Sequence, residues 1–365
     1  MLHIFLLRRA YLFGALCLLS VLVSATDVSQ PGKPNQGRFT IKNVFTVKVP
    51  AGSQTVRMWF ALPQEDSHSI IRNLNVTSDF PVRYETDSSG NRVGYIELHG
   101  PQPEQVTIQE VFDLTRFEIR NVVNAAATRP LTEAEQTALA RYLQPSTQVI
   151  VNDTIRKLAA SITGGETNPV LAARKLYDWT YKNVNYWVKD PDHLKASPVG
   201  STEYCLRTKT GNCTDFHSLF SSLAMASGIP TRIVYGSLLK PTLNGQEIDG
   251  SYHCWIEFFA PRLGWIPLDA SLANIYAQEI KIGDNNKKLV ELTTSTGYRG
   301  VDTGKVDYYF GNLDERRVVW SVGRDLMMQP PQEDGPVNAL SKIYVEVDGR
   351  QSTAWTRVFT YRESR

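Results

Sequence analysis

The segment from Asn212 to Ser227 restricts the possible folds of this chain more than any other. Phe216, Leu219, Phe220 and Leu223 fall at i, i+3, i+4 and i+7, the stripe of a helix that buries one side. Gly228 follows its end and Pro230 bars its resumption. Three strands are then expected, Thr231–Tyr235, Tyr252–Phe259 and Gly264–Leu268, with a turn at Leu243–Glu247 between the first two. A capped helix feeding a run of strands demands an α+β arrangement. It also puts Cys213 in the first helical turn, where unpaired amide N–H groups and the positive end of the helix dipole stabilise a thiolate.

A thiol becomes a good nucleophile when a base takes its proton and a third group orients that base. His253 and Asp269 follow Cys213 in the order these roles need. His253 shares one side of its strand with Trp255 and Glu257, and Asp269 ends the next strand. Each residue also has a plainer reading: a buried small hydrophobe for Cys213, half-buried packing for His253, a turn former for Asp269. The coincidence of all three favours a thiol nucleophile, general base and orienting acid.

His217, one turn after Cys213, is a rival base that would have to reach back along its own helix; packing near the substrate is the simpler role. Asp215 reads as a first-turn acid favoured by the dipole. The Cys213 amide is the expected oxyanion donor, with Tyr204, Asn212 or Trp187 as a possible second. Cys213, His217, His253 and Cys254 could be taken for a zinc set. Residues 253 and 254 point to opposite faces of a strand, however, and the spacing lacks tight pairs, so neither a metal nor a cofactor is expected.

Upstream of the helix the period is different. Phe39 to about Arg120 alternates in short runs separated by turn clusters such as Asp87–Asn91, as a β-sandwich does. Thr132 and Glu135 resemble a capping box that opens a helix to about Leu143, and Val151–Ile162 and Pro169–Val184 repeat apolar positions at helical spacing. The remainder has mixed strands and loops, with turns at Asp284–Asn286 and Val347–Gly349. The expected organisation is a leader over 1–25, a flexible lead-in over 26–37, a β-sandwich over 38–122, a catalytic core over 123–280 and a β-rich extension over 281–365.

Arg8 and Arg9, the apolar run Ala10–Val23 and the small residues to Ala25 form a secretory signal pattern, too short for a spanning helix. An exported chain, periplasmic or extracellular and free of the membrane once cleaved, is expected. Its mature part holds Cys205, Cys213 and Cys254, an odd number that leaves at least one thiol unpaired; if Cys205 and Cys254 pair, Cys213 is the free one. Basic and acidic residues nearly balance at 39 and 37, which gives nucleic-acid binding no support. Oligomeric state is not legible.

Gly211-Asn212-Cys213, Gly228-Ile229-Pro230-Thr231-Arg232, His253-Cys254-Trp255 and Gly264-Trp265-Ile266-Pro267-Leu268-Asp269 together resemble the signature of the transglutaminase-like superfamily, firmly over about 165–275. Asp307–Asp314 and Gly323-Arg324-Asp325 resemble segments of its exported bacterial members. The resemblance implies a papain-like core, often preceded by a β-sandwich, with Cys213, His253 and Asp269 as nucleophile, base and orienting acid. It implies a thioester formed from a peptide or glutamine-side-chain amide of a protein or peptide substrate, and leaves open whether water or an amine resolves it. Hydrolysis is the preferred expectation, cross-linking the alternative, and a catalytically silent binding module the reading from another class.

Overall fold

A computed structural model describes residues 33–100, 103–280 and 297–364. The expected leader, with Arg8 and Arg9, and the turn at Asp284–Asn286 lie outside the described residues. From Pro34 onward the described chain forms one unit.

Six strands come first: β1 (Gln36–Lys48), β2 (Thr55–Ala61), β3 (Ser69–Ser78), β4 (Arg83–Thr86), β5 (Arg92–His99) and β6 (Gln105–Phe117). Helices α1 (Glu133–Ala138), α2 (Asp153–Thr163) and α3 (Pro169–Asn183) follow, then β7 (Asn185–Tyr186), α4 (Thr202–Thr208), β8 (Thr210–Gly211) and α5 (Cys213–Ala226). Next are β9 (Thr231–Leu238), β10 (Tyr252–Ala260), β11 (Gly264–Leu268), α6 (Ala270–Tyr276) and α7 (Thr303–Tyr308). The described chain ends with β12 (Arg317–Val322), β13 (Ile343–Val347), β14 (Arg350–Ser352) and β15 (Trp355–Glu363).

Strand partners cut across sequence order. One antiparallel sheet runs β15-β1-β6-β3, a second β14-β13-β2-β5-β4, and a third β11-β10-β9-β12. Residues 38–122 therefore complete none of these sheets alone. β15 pairs along β1, β13 along β2, and β12 closes the third sheet. The first two sheets share buried clusters, one built on Phe39, Trp59, Tyr95, Phe112, Tyr344 and Phe359. β1 begins at Gln36, inside the expected lead-in.

The helix expected from Thr132 to about Leu143 is two pieces. The capping box between Thr132 and Glu135 is present, but α1 stops at Ala138 and a 3-10 turn covers Ala140–Leu143. Neither piece buries a residue, so no packing holds a longer helix together.

The alternating inward face of β1, β6 and β15 carries four polar exceptions, Asn43, Glu110, Arg116 and Arg357, and all but Arg116 are bonded in one chain. Asn43 Nδ2 donates to Glu110 Oε2 at 2.8 Å, and Arg357 Nε donates to Asn43 Oδ1 at 2.7 Å. Burial pushes the Glu110 carboxyl up to about 8, against the Asn43 hydrogen bond and the Arg357 charge. Its ordinary value is 4.5, so between those pH values the folded chain holds a proton that the unfolded chain has lost. Stability should therefore fall as pH rises from 4.5 to about 8, by up to ~1.4 kcal/mol per pH unit from this group. Glu110→Gln is expected to flatten that slope in urea unfolding; equal slopes in the two proteins would refute the assignment.

The third sheet packs on α5, with α2, α3 and α6 around it. Phe216, Leu219, Phe220 and Leu223 are all buried, as their spacing predicts. The helix's other side is buried too, and its hydroxyls are matched: Ser218 Oγ donates to Gly200 O, Ser222 pairs with Thr202 and Ser221 with Thr231. A central helix with a satisfied polar side gives its N-terminus a fixed position, and Cys213 is there.

Candidate active site

Asn212 caps α5. Its Oδ1 accepts from the amides of Thr214 and Asp215, and Asp215 Oδ2 accepts back from the Asn212 amide at 2.9 Å. The Asp215 carboxylate does more than oppose a dipole. It also takes the amides of Ser197 and Ser201, tying the preceding loop to the helix start, and burial raises it to about 6 in spite of those three donors. This contact explains Gly211. A Cβ there would come within 2.3 Å of the Asp215 Cβ.

Cys213, held at this tip, lines a cleft of about 400 Å³ with Tyr186, Trp187, Asn212, Tyr252 and His253. The parallel pairing of β7 with β8, Tyr186 opposite Gly211, brings the Tyr186 hydroxyl within hydrogen-bonding reach of the Cys213 sulfur. Asn274 of α6 secures that wall by accepting from the Tyr186 amide and donating to the carbonyls of Tyr181 and Val184.

β10 carries His253 past the thiol, and β11 ends where Asp269 begins. His253 Nε2 lies 2.7 Å from Asp269 Oδ2, which leaves Nδ1 for the Cys213 sulfur, a hydrogen-bond neighbour of the ring. The structure thus brings Cys213, His253 and Asp269 together. Asp269 is also the N-cap of α6, accepting from the Leu272 amide and Ser271 hydroxyl on Oδ1. Its Oδ2 receives Arg317 Nη1 at 3.0 Å, and the fully buried Arg317 reaches Asp314 at 2.8 Å with Nη2.

The electrostatics follow from these contacts. Hydrogen bonding from Cys254 outweighs burial and, with the His253 charge, holds the Cys213 thiol well below its ordinary value. Burial alone would lower His253, but the Asp269 carboxylate and the Cys213 sulfur push it up to about 9. Burial works against the Asp269 charge as well, yet His253 and Arg317 keep it ionised far below the usual carboxylate range. The favoured state is a thiolate beside an imidazolium.

The other predicted residues are placed differently. His217 is fully buried, with Nδ1 3.4 Å from Cys254 Sγ and Nε2 3.6 Å from Asp269 Oδ1. Burial pulls it down to about 4, so it is neutral and does not line the cleft. Trp255 is buried outside the cleft lining, its ring under the Arg317 guanidinium at 5.1 Å. Tyr204, half-buried on α4, is not among the residues lining the cleft, whereas Asn212 and Trp187 are. Cys205 and Cys254 are both free and buried, so the pairing considered from sequence is not formed. Sequence reasoning missed Arg317 and Tyr186. An arginine doublet before an apolar strand reads as exposed, and nothing local links Tyr186 to a thiol. Among the described residues no cluster of His, Cys, Asp or Glu could hold a metal, and no helix is long and apolar enough to cross a membrane.

The site is a thiol on a helix tip with an imidazole on β10 and a carboxylate just after β11. Residues 156–270, which include all three side chains, match the transglutaminase-like superfamily, and the chain carries such a domain. It is 26% identical over 337 residues to an uncharacterised protein of Haemophilus influenzae, covering 85% of this chain and 86% of that one. It is 26% identical over 125 residues to a protein-glutamine gamma-glutamyltransferase of Pseudomonas aeruginosa, but covers only 18% of that protein. The crystal structure of a candidate cysteine protease from Cytophaga hutchinsonii shares the fold at TM-score 0.56 and 16% identity, over 91% of this chain and 92% of that one.

Proposed function

We propose that the protein is an exported thiol acyl-transfer enzyme that opens peptide or glutamine-side-chain amides through a thioester and passes the acyl group to water. The observation that carries this reading is the His253–Asp269 contact of 2.7 Å, with the ring's other nitrogen facing a thiol in an open cleft. The Cys213 thiolate attacks the carbonyl carbon, and the Cys213 amide at the helix tip supports the developing oxyanion. His253 as imidazolium protonates the departing amine, then as imidazole activates the incoming water, while Asp269 keeps the ring in the needed tautomer.

Water is taken as the acceptor in this reading because it enters an open cleft unaided, whereas an amine acceptor needs a subsite of its own. The likeness to a protein-glutamine gamma-glutamyltransferase favours the second reading, cross-linking. Ammonia release from a glutamine peptide, followed with and without a primary amine, separates them. A peptide with glutamate in place of the glutamine is the expected product, and amine incorporation would overturn the hydrolytic reading.

The pH dependence has a definite sign. The thiolate–imidazolium pair exists above the depressed Cys213 value and below the His253 value of about 9. Alkylation by iodoacetamide is therefore expected to stay fast well below pH ~8.5, the midpoint of an ordinary thiol. Amide turnover is expected to fall as pH rises through about 9, when His253 loses the proton that the leaving amine requires. An alkylation midpoint near that of a free thiol, unchanged in His253→Ala, would favour a binding module over an enzyme.

A further inference from the structure

Acyl transfer uses one thiol and one imidazole, yet the site contains two of each. Cys254 follows His253 on β10 but points to the opposite side, toward α5. Its sulfur is near enough to that of Cys213 for each to shift the other's proton affinity. Thr214 Oγ1 is a common neighbour of the two, 4.0 Å from Cys213 Sγ and 3.5 Å from Cys254 Sγ. Both cysteines are free. The second imidazole, His217, stands 3.4 Å from the Cys254 sulfur, and its Nε2 has no hydrogen-bond partner. Each thiol thus has its own imidazole, His253 for Cys213 and His217 for Cys254. Only Cys213 of the two lines the cleft, so an oxidant from solvent meets it first.

We propose that Cys254 is a resolving thiol, and that a hydroperoxide entering the cleft converts the pair into a reversible Cys213–Cys254 disulfide that closes the site. The proposal rests on Cys213 being the reactive thiol of the function above. The Cys213 thiolate attacks the distal oxygen of the hydroperoxide. An S–O bond forms and the O–O bond breaks, and the departing alkoxide, or hydroxide if the oxidant is hydrogen peroxide, takes a proton from His253. Cys213 is then a sulfenic acid, oxidised by two electrons, and the peroxide has been reduced to an alcohol or water. Cys254 next passes its proton to His217 Nδ1, and its sulfur attacks the sulfenic sulfur. The S–S bond forms, the S–O bond breaks, and hydroxide leaves with the proton held by His217 as water. His217 suits this role because burial keeps it neutral and able to accept. Cys254 suits the resolving role because burial keeps it a thiol until that proton is removed.

The consequence is protection as well as control. A lone buried sulfenic acid proceeds to sulfinic and sulfonic acids, which thiols do not reverse, whereas a disulfide is recovered by reduction. Cys205, fully buried on α4, serves as an internal reference.

The experiment treats the reduced full-length protein with hydrogen peroxide and follows intact mass, peptide mapping without reduction, and iodoacetamide labelling of Cys213. The wild type is expected to lose two hydrogens, yield a Cys213–Cys254 peptide with Cys205 still free, and regain labelling after dithiothreitol. Cys254→Ser, or Cys254→Ala where the serine variant does not fold, is expected to gain two or three oxygens at Cys213 and to lose labelling permanently. His217→Gln is expected to slow disulfide closure about a hundredfold while leaving the first oxidation unchanged. A wild type that gains oxygens without the cross-link, links Cys205 instead, stays unoxidised or behaves like Cys254→Ser would overturn the proposal. Fast labelling of Cys213 before peroxide, measured separately, shows whether the acyl-transfer reading fails with it.

Discussion

Asp269→Asn is expected to lower acyl transfer by about 10³–10⁴-fold while leaving most of the fold in place. His253 donates through Nε2 to Asp269 Oδ2, so Nδ1 is the nitrogen that exchanges a proton with Cys213. A carboxamide can turn its NH₂ toward Nε2. The ring would then carry its proton on Nδ1 and could not accept one from the thiol. The imidazolium would also lose the charge that raises it to about 9, and the thiolate would lose its stable counterion. Asparagine caps a helix as well as aspartate does, so the bonds from Leu272 and Ser271 into the start of α6 can persist. The effect should therefore appear in single-turnover thioester formation and in the acid shift of Cys213 alkylation, with little change in circular dichroism. A variant acylated within tenfold of the wild-type rate would show that His253 does not depend on Asp269 for its tautomer.

Arg317→Met is expected to cost about 3–5 kcal/mol of stability, the usual penalty for removing one partner from a buried ion pair. The guanidinium is completely buried and bonds both Asp269 at 3.0 Å and Asp314 at 2.8 Å. Without it, the buried Asp269 carboxylate and the half-buried Asp314 carboxylate remain with no cation between them. Asp269 would still have the imidazolium, but Asp314 would keep only the Arg316 amide. Urea unfolding at neutral pH measures the loss, and Arg317→Met combined with Asp314→Asn should recover part of it because one unpaired charge is removed. A loss below about 1 kcal/mol would mean that water reaches this cluster. The same substitution tests how far the site depends on β12, the strand that brings Arg317 to Asp269.

Much of the site was legible in the sequence because its signals are short-range. Gly228 and Pro230 end α5, the polar Asn212 begins it, and the apolar stripe between them runs as predicted, so the position of Cys213 follows from local chemistry. β11 was read at its observed ends, Gly264 and Leu268, and Asp269 directly after it. The β-hairpin turns at Asp87–Asn91 and Asp348–Gly349 were likewise visible as turn residues. Tyr204, on α4, is not among the residues lining the cleft, and Asp215 was undervalued because its partners, Ser197 and Ser201, lie in a loop with no pattern to announce them.

Capping, helical period and strand alternation depend on neighbours a few residues apart, so the sequence alone determined that a thiol would stand at a helix tip ahead of strands bearing an imidazole and a carboxylate. Only the tertiary structure decided what stands behind them: Arg317 under Asp269, Tyr186 over the thiol, Cys254 with His217 beside it, and sheets in which β13 and β15 join strands from the other end of the chain. These pairings form through space between residues far apart in sequence. Buried charge, thiol proximity and strand partnership are settled by which surfaces exclude water together, and no local pattern records that choice.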